Sequence, residues 1–112
     1  MIYAVPVTGG MLAQHFGHCE QFALFDVDEK SKKITGKSFV TSPEHQPGLL
    51  PGWLATHGVS VVLAGGMGSR AQDLFQENRI AVVIGITESD PEKAVTSYLN
   101  GTLTAGPNVC DH

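Results

Sequence analysis

The chain has 112 residues, 42% hydrophobic and 16% charged, with a net charge of −4. This is the composition of one globular domain with a modest core, not of a disordered chain. Apart from Lys30, Lys32 and Lys33 the basic residues are scattered, which argues against nucleic acid as a partner, and no apolar run is long enough to span a bilayer.

The opening "MIYAVPV" runs straight into strand-like sequence without a basic region or apolar signal core, so a cytoplasmic protein is expected. In a reducing cytosol, Cys19 and Cys110 are expected as free thiols or ligands, with a bridge between them as the alternative.

Ile2–Val7 reads as a buried strand, with Pro6 near its end or on a free edge. Phe22–Val27 and Ile34–Val40 form a hairpin across the polar turn "DEKSKK", and "TSPEHQPG" is a loop by composition. The period then changes. Leu49, Leu50, Trp53, Leu54 and His57 share a helical face, with Pro51 in the first turn and Gly58 as the stop. Val59–Ala64 and Ile80–Ile86 are short apolar strands of the kind covered on both faces. Between them, Ser69 and Gln72 have capping-box spacing for a helix carrying Leu74 and Phe75. Asp90–Pro91 opens a last helix with Ala94, Val95, Tyr98 and Leu99 inward and Gly101 after its end; residues 102–112 are aperiodic.

The order β-β-β-α-β-α-β-α predicts a single α/β domain over residues 1–112. Right-handed crossovers then favour three α/β/α layers and a five-stranded mixed sheet of order 3-2-1-4-5, which resembles the ribonuclease H-like architecture. In that order the first and fourth strands are neighbours whose connections leave in opposite directions, a switch point where α/β folds open a crevice. "HFGHC" follows the first strand and "GGMGSR" the fourth, so the two are expected to face each other.

His15, His18 and Cys19 fall within five residues around Gly17. Imidazole and thiolate suit zinc, copper, iron and metal–sulfide clusters, whereas a solvated turn with Cys19 as a small buried apolar residue is the plainer reading. Cys110 and His112 carry the same ambiguity at a chain terminus: a frayed end, or a tail that adds ligands once a metal arrives. "GGMGSRA" offers a backbone that approaches closely, a helix N-terminus and Arg70, together an anion site; a sharp turn under close packing is the alternative.

Gly66-x-Gly68-x-x-Ala71 also fits a dinucleotide fingerprint, with Glu88 for a ribose hydroxyl, but no second mononucleotide half accompanies it. A two-metal nuclease is excluded because the first strand supplies no carboxylate. Cys19 as a nucleophile lacks an orienting residue.

"HFGHCEQFALFDVD", "EH" before "LLPGWLATHGVSVVLAGGMGSRA", "YLNGTL" and "NVCDH" together resemble the dinitrogenase iron–molybdenum cofactor-binding family, in order and over nearly the whole chain. The resemblance implies a small, non-enzymatic carrier of an iron–molybdenum or other metal–sulfide cluster on a ribonuclease H-like fold, with His15, the histidine of "HFG", holding the cluster. It also implies cluster donor or acceptor proteins as partners, and a likeness to short stand-alone members from anaerobes. There is no radical-SAM cysteine motif, so such a protein carries clusters without building them. The expected binding residues are His15, Phe16, Gly17, His18 and Cys19 on one wall and Gly65, Gly66, Met67, Gly68 and Arg70 on the other. The expected metal ligands are drawn from His15, His18, Cys19, Cys110 and His112. A nucleotide or small-anion sensor and a simple zinc site are the rivals.

Overall fold

The computed structural model describes residues 1–13, 19–43 and 49–101. Strand β1 (Ile2–Thr8) buries every residue from Tyr3 to Val7, which forces it into the interior of the sheet. Its neighbours on one side are β3 (Gln21–Asp28) and then β4 (Lys33–Thr41), each pairing antiparallel to the last. On the other side are β5 (Val59–Leu63) and β6 (Ala81–Val83), both parallel. The order is β4-β3-β1-β5-β6, with the two-residue strand β2 (Met11–Leu12) pairing to β1.

The sheet therefore has six strands where the sequence reading expected five. The extra one comes from the turn Thr8-Gly9-Gly10-Met11, in which Thr8 pairs with Met11 and the glycines take φ of 61° and 82°. Positive φ at both central residues is what a two-residue hairpin requires, and glycine adopts it without steric cost.

Pro6 lies near the end of β1 without interrupting the ladder to β3. Its carbonyl accepts the Ala13 N–H at 2.8 Å, so its nitrogen faces that same side, away from β3.

Strand alternation sorts the core into two layers of side chains. Tyr3, Val5, Ala23, Phe25 and Leu63 face α3 (Pro91–Asn100), which contributes Ala94 and Val95. Ala4, Phe22, Leu24 and Val62 face Leu54 of α1 (Leu49–Thr56) and Phe75 of α2 (Ser69–Glu77). In β5 the alternation slips. Ile2 pairs with Val59 but Tyr3 with Val61, so Ser60 is an extra residue and Val59 and Val62 both reach the α1–α2 side.

Helix ends follow local chemistry. Gly58, at φ 77°, ends the α1 segment. Asp90 caps α3 by accepting the Glu92 and Lys93 N–H groups at 2.9 and 3.3 Å, and Gly101 closes it at φ 73°. Tyr98, expected inward, is 37% exposed, and its ring lies against Tyr3 at 5.8 Å. The apolar run Ile80–Ile86 supplies only the three residues of β6 and an isolated bridge at Ile86, because Gly85 turns to φ 78° between them.

Phe25 is fully buried, so Phe25→Ala is expected to lower unfolding stability by about 3–5 kcal/mol in chemical denaturation. Asp90→Ala should cost about 1 kcal/mol through the lost cap.

Candidate functional site

The residues that bound the "HFG" segment are fastened to the carboxyl end of β1. Ahead of it, Leu12 donates to the Ser89 carbonyl and Ala13 to the Pro6 carbonyl, both at 2.8 Å. Behind it, the Glu20 N–H donates to the Val7 carbonyl at 3.0 Å, while the Glu20 carbonyl accepts from Ser42 at 3.0 Å. The Glu20 carboxylate reaches further and accepts the Gly9 N–H at 2.8 Å, tying the β1–β2 turn to the start of β3. Sequence reasoning missed this clamp. A lone Glu before a strand carries no signal, although a Gly-Gly pair between apolar residues is a recognised hairpin mark.

The other wall is the connection from β5 to α2. The β1–β5 pairing runs as far as Ala4 and Val62, and beyond it the chain continues through Ala64 and Gly65. Both remain attached to the β6 side: Ala64 donates to Val83 at 2.9 Å, and the Gly65 and Ala64 carbonyls accept from Gly85 and Ile86 at 2.9 and 3.1 Å. Gly65, Gly66 and Met67 are buried.

The expected capping box does not form. The extended residue before α2 is Gly68 (φ −64°, ψ 151°), so Ser69 is already helical, and Gln72 donates instead to the Met67 carbonyl at 3.0 Å. A Cβ added at Gly68 would meet nothing within 4 Å, and its φ suits any residue. Neither packing nor backbone conformation requires this glycine. Its effect is to leave the helix N-terminus without a capping side chain, where the N–H groups and the dipole favour an anion. Arg70 is exposed on the first turn.

Cys19 is half-buried against the apolar cluster that also contains Phe22 and Met67, which brings one sequence-predicted residue from each wall into the same packed group. Burial pushes the Cys19 thiol above its ordinary 9.0, while a bond from the Ser42 hydroxyl and a backbone contact pull the other way. The thiol is therefore protonated at neutral pH, and any metal it binds must displace that proton. His15, Phe16, Gly17, His18, Cys110 and His112 lie outside the described residues. Among the described residues, no three His, Cys, Asp or Glu side chains gather into a metal-binding group. Glu88, the candidate ribose partner, instead accepts the Asp90 N–H at 3.4 Å, within its own loop.

This is a three-layer α/β protein whose parallel and antiparallel halves meet at β1. The chain belongs to the dinitrogenase iron-molybdenum cofactor family, whose sequence model matches residues 1–101.

It is 28% identical over 107 residues to the uncharacterized protein MJ0580 of Methanocaldococcus jannaschii, covering 92% of this chain and 89% of that one. It superposes on the crystal structure of PH0822 with a TM-score of 0.85 at 26% identity, over 94% of each chain. The apo form of the orange protein from Desulfovibrio gigas shares the fold, with a TM-score of 0.72 at 23% identity over 96% of this chain and 93% of that one. No helix among the described residues is long and apolar enough to cross a membrane.

In a Cys110→Ser background, the midpoint of Cys19 alkylation against pH is expected above 9.0. Ser42→Ala should move it higher, because the lost bond favours the thiolate. The stability linked to this protonated thiol is present at neutral pH and is lost as pH rises through that midpoint. A midpoint at or below the ordinary value contradicts the thiol's burial.

Proposed function

We propose that the protein binds and carries an iron- and/or molybdenum–sulfide cluster, or a precursor of one, at the carboxyl edge of β1 and β5, without catalysing a reaction on it. The observation that carries this reading is the anchoring of Ala13 and Glu20 to Pro6 and Val7. It ties Ala13 and Glu20, which flank residues 14–18 in the sequence, to the carboxyl end of β1, the strand that pairs with β5. Family membership supports a cofactor-related role.

In this reading His15 is the principal ligand, with His18, Cys19, Cys110 and His112 as further soft donors, and Phe16 and Gly17 shape the segment. Gly65, Gly66, Met67 and Gly68 line the opposite wall, and the uncapped N–H groups of α2 together with Arg70 meet the anionic sulfides. Few ligands suit a carrier, which must release its cargo to an acceptor after taking it from a donor. The strand order agrees with a ribonuclease H-like assignment of the fold, and a cytoplasmic setting would keep the thiols reduced.

Protein purified without oxygen and reconstituted with iron or molybdate and sulfide is expected to hold stoichiometric metal with a visible charge-transfer band. His15→Ala should weaken retention against a chelator, and equal retention would remove His15 from the site. Arg70→Ala, a change at an exposed position, should weaken retention by a few-fold while leaving thermal stability unchanged. Stabilisation by nucleotides but not by clusters would overturn the reading in favour of a nucleotide sensor.

A further inference from the structure

On the opposite side of the sheet from α1 and α2, α3 packs over β1, β3 and β4 but leaves Phe39 of β4 partly uncovered. There Lys37 and Phe39 project from one face of β4, paired in register with Phe25 and Ala23. The gap between this face and the start of α3 is a cavity of about 290 Å³. Phe25, fully buried, lies at its floor. Phe39 and Met11 form apolar walls and are 47% and 53% exposed, two of the four exposed large hydrophobic residues among those described. Gly10 and the buried Pro91 complete the lining.

The rim carries both signs of charge. Lys37 Nζ lies 3.6 Å from Glu92 Oε1, with both side chains about half exposed, and 5.9 Å from the centre of the Phe39 ring. An ion pair this exposed is weak and opens at little cost. Asp90, whose Oδ1 caps α3, places a second carboxylate at the same rim. Two carboxylates disfavour a purely anionic ligand such as a nucleotide, while Lys37 disfavours a bare cation. The apolar floor and walls suit neither alone.

We propose that this groove binds a small zwitterion with an apolar body, of the hydrophobic α-amino acid class. The ligand's ammonium meets Glu92 and Asp90, its carboxylate meets Lys37, and its side chain covers Phe39 and Met11. The ligand displaces the Lys37–Glu92 contact and gives each charge a new partner, so no unpaired charge is left. Its small size and the open groove place the expected Kd in roughly the millimolar to 0.1 mM range. The groove lies on the α3 side of the sheet, it shares the β1–β2 turn with the candidate cluster site, and its assignment does not rest on cluster binding.

The test is a titration of isotope-labelled protein with L-leucine, L-methionine and L-phenylalanine, followed by amide chemical shifts. Saturable shifts are expected at Gly10, Met11, Lys37, Phe39 and Glu92. An alkyl amine or alkyl carboxylate of equal length, lacking one charge, should bind about tenfold more weakly. Phe39→Ala and Glu92→Gln, both at exposed positions, should weaken binding to a similar degree, and Arg79→Ala, at the far end of α2, should not. Shifts that fail to saturate at several tens of millimolar, that map elsewhere, or that persist unchanged in Phe39→Ala overturn the proposal. Equal binding of a singly charged analogue also overturns it, because the groove would then be reading one charge rather than two.

Discussion

β1 has an antiparallel neighbour on one side and a parallel neighbour on the other, and its run of buried residues from Tyr3 to Val7 leaves it no place but the interior. An antiparallel neighbour can be reached by a short connection, whereas a parallel one needs a crossover. The chain leaves β1 through the short β2 hairpin, passes on to β3 and β4, and reaches β5 only after α1, so the connections after β1 and β5 both start at the carboxyl end of the central strands. Loop residues at such an edge are free of ladder pairing, and chemistry collects there. The candidate cluster site is a consequence of that single mixed pairing.

Features governed by one residue's own chemistry were legible in the sequence. Asp90-Pro91 and Gly101 bracket α3 as expected, and Gly58 ends the α1 segment. The apolar character of β1, β3 and β5 followed from their composition. What the sequence concealed depends on partners. Ser60 reads as any other strand residue, and only pairing with β1 makes it the extra residue that turns Val59 and Val62 to the same side. Ser69 and Gln72 have the spacing of a capping box, but the chain enters the helix one residue earlier, at Gly68. The run from Ile80 looked like a full strand, although glycine at position 85 divides it.

The candidate site divides along the same line. Cysteine, histidine and glycine announce themselves by type, and Cys19 and Met67 do share a packed cluster. Glu20 and Ser42 do not announce themselves. Glu20 engages Val7, Ser42 and Gly9 through three different atoms, so one residue before β3 fixes the β1–β2 turn, the start of β3 and the end of β4 together. Ser42 also bonds the Cys19 thiol and partly offsets the effect of its burial. Residues that position others are invisible in a motif search, because their contribution is a hydrogen bond rather than a distinctive side chain.

A raised thiol pKa has a consequence for the carrier reading. Binding through Cys19 would release a proton, so its contribution to holding a cluster is reduced at neutral pH relative to a thiolate already formed. Imidazole carries no such cost once it is neutral. In that reading a histidine ligand would give up no proton once neutral, whereas Cys19 would bind only as it loses one. In the proposed carrier, whose cargo would pass to an acceptor, reversible grip would be the useful property. The burial of Cys19 would thus tie its hold on a cargo to the proton it gives up, which suits transfer more than permanent binding.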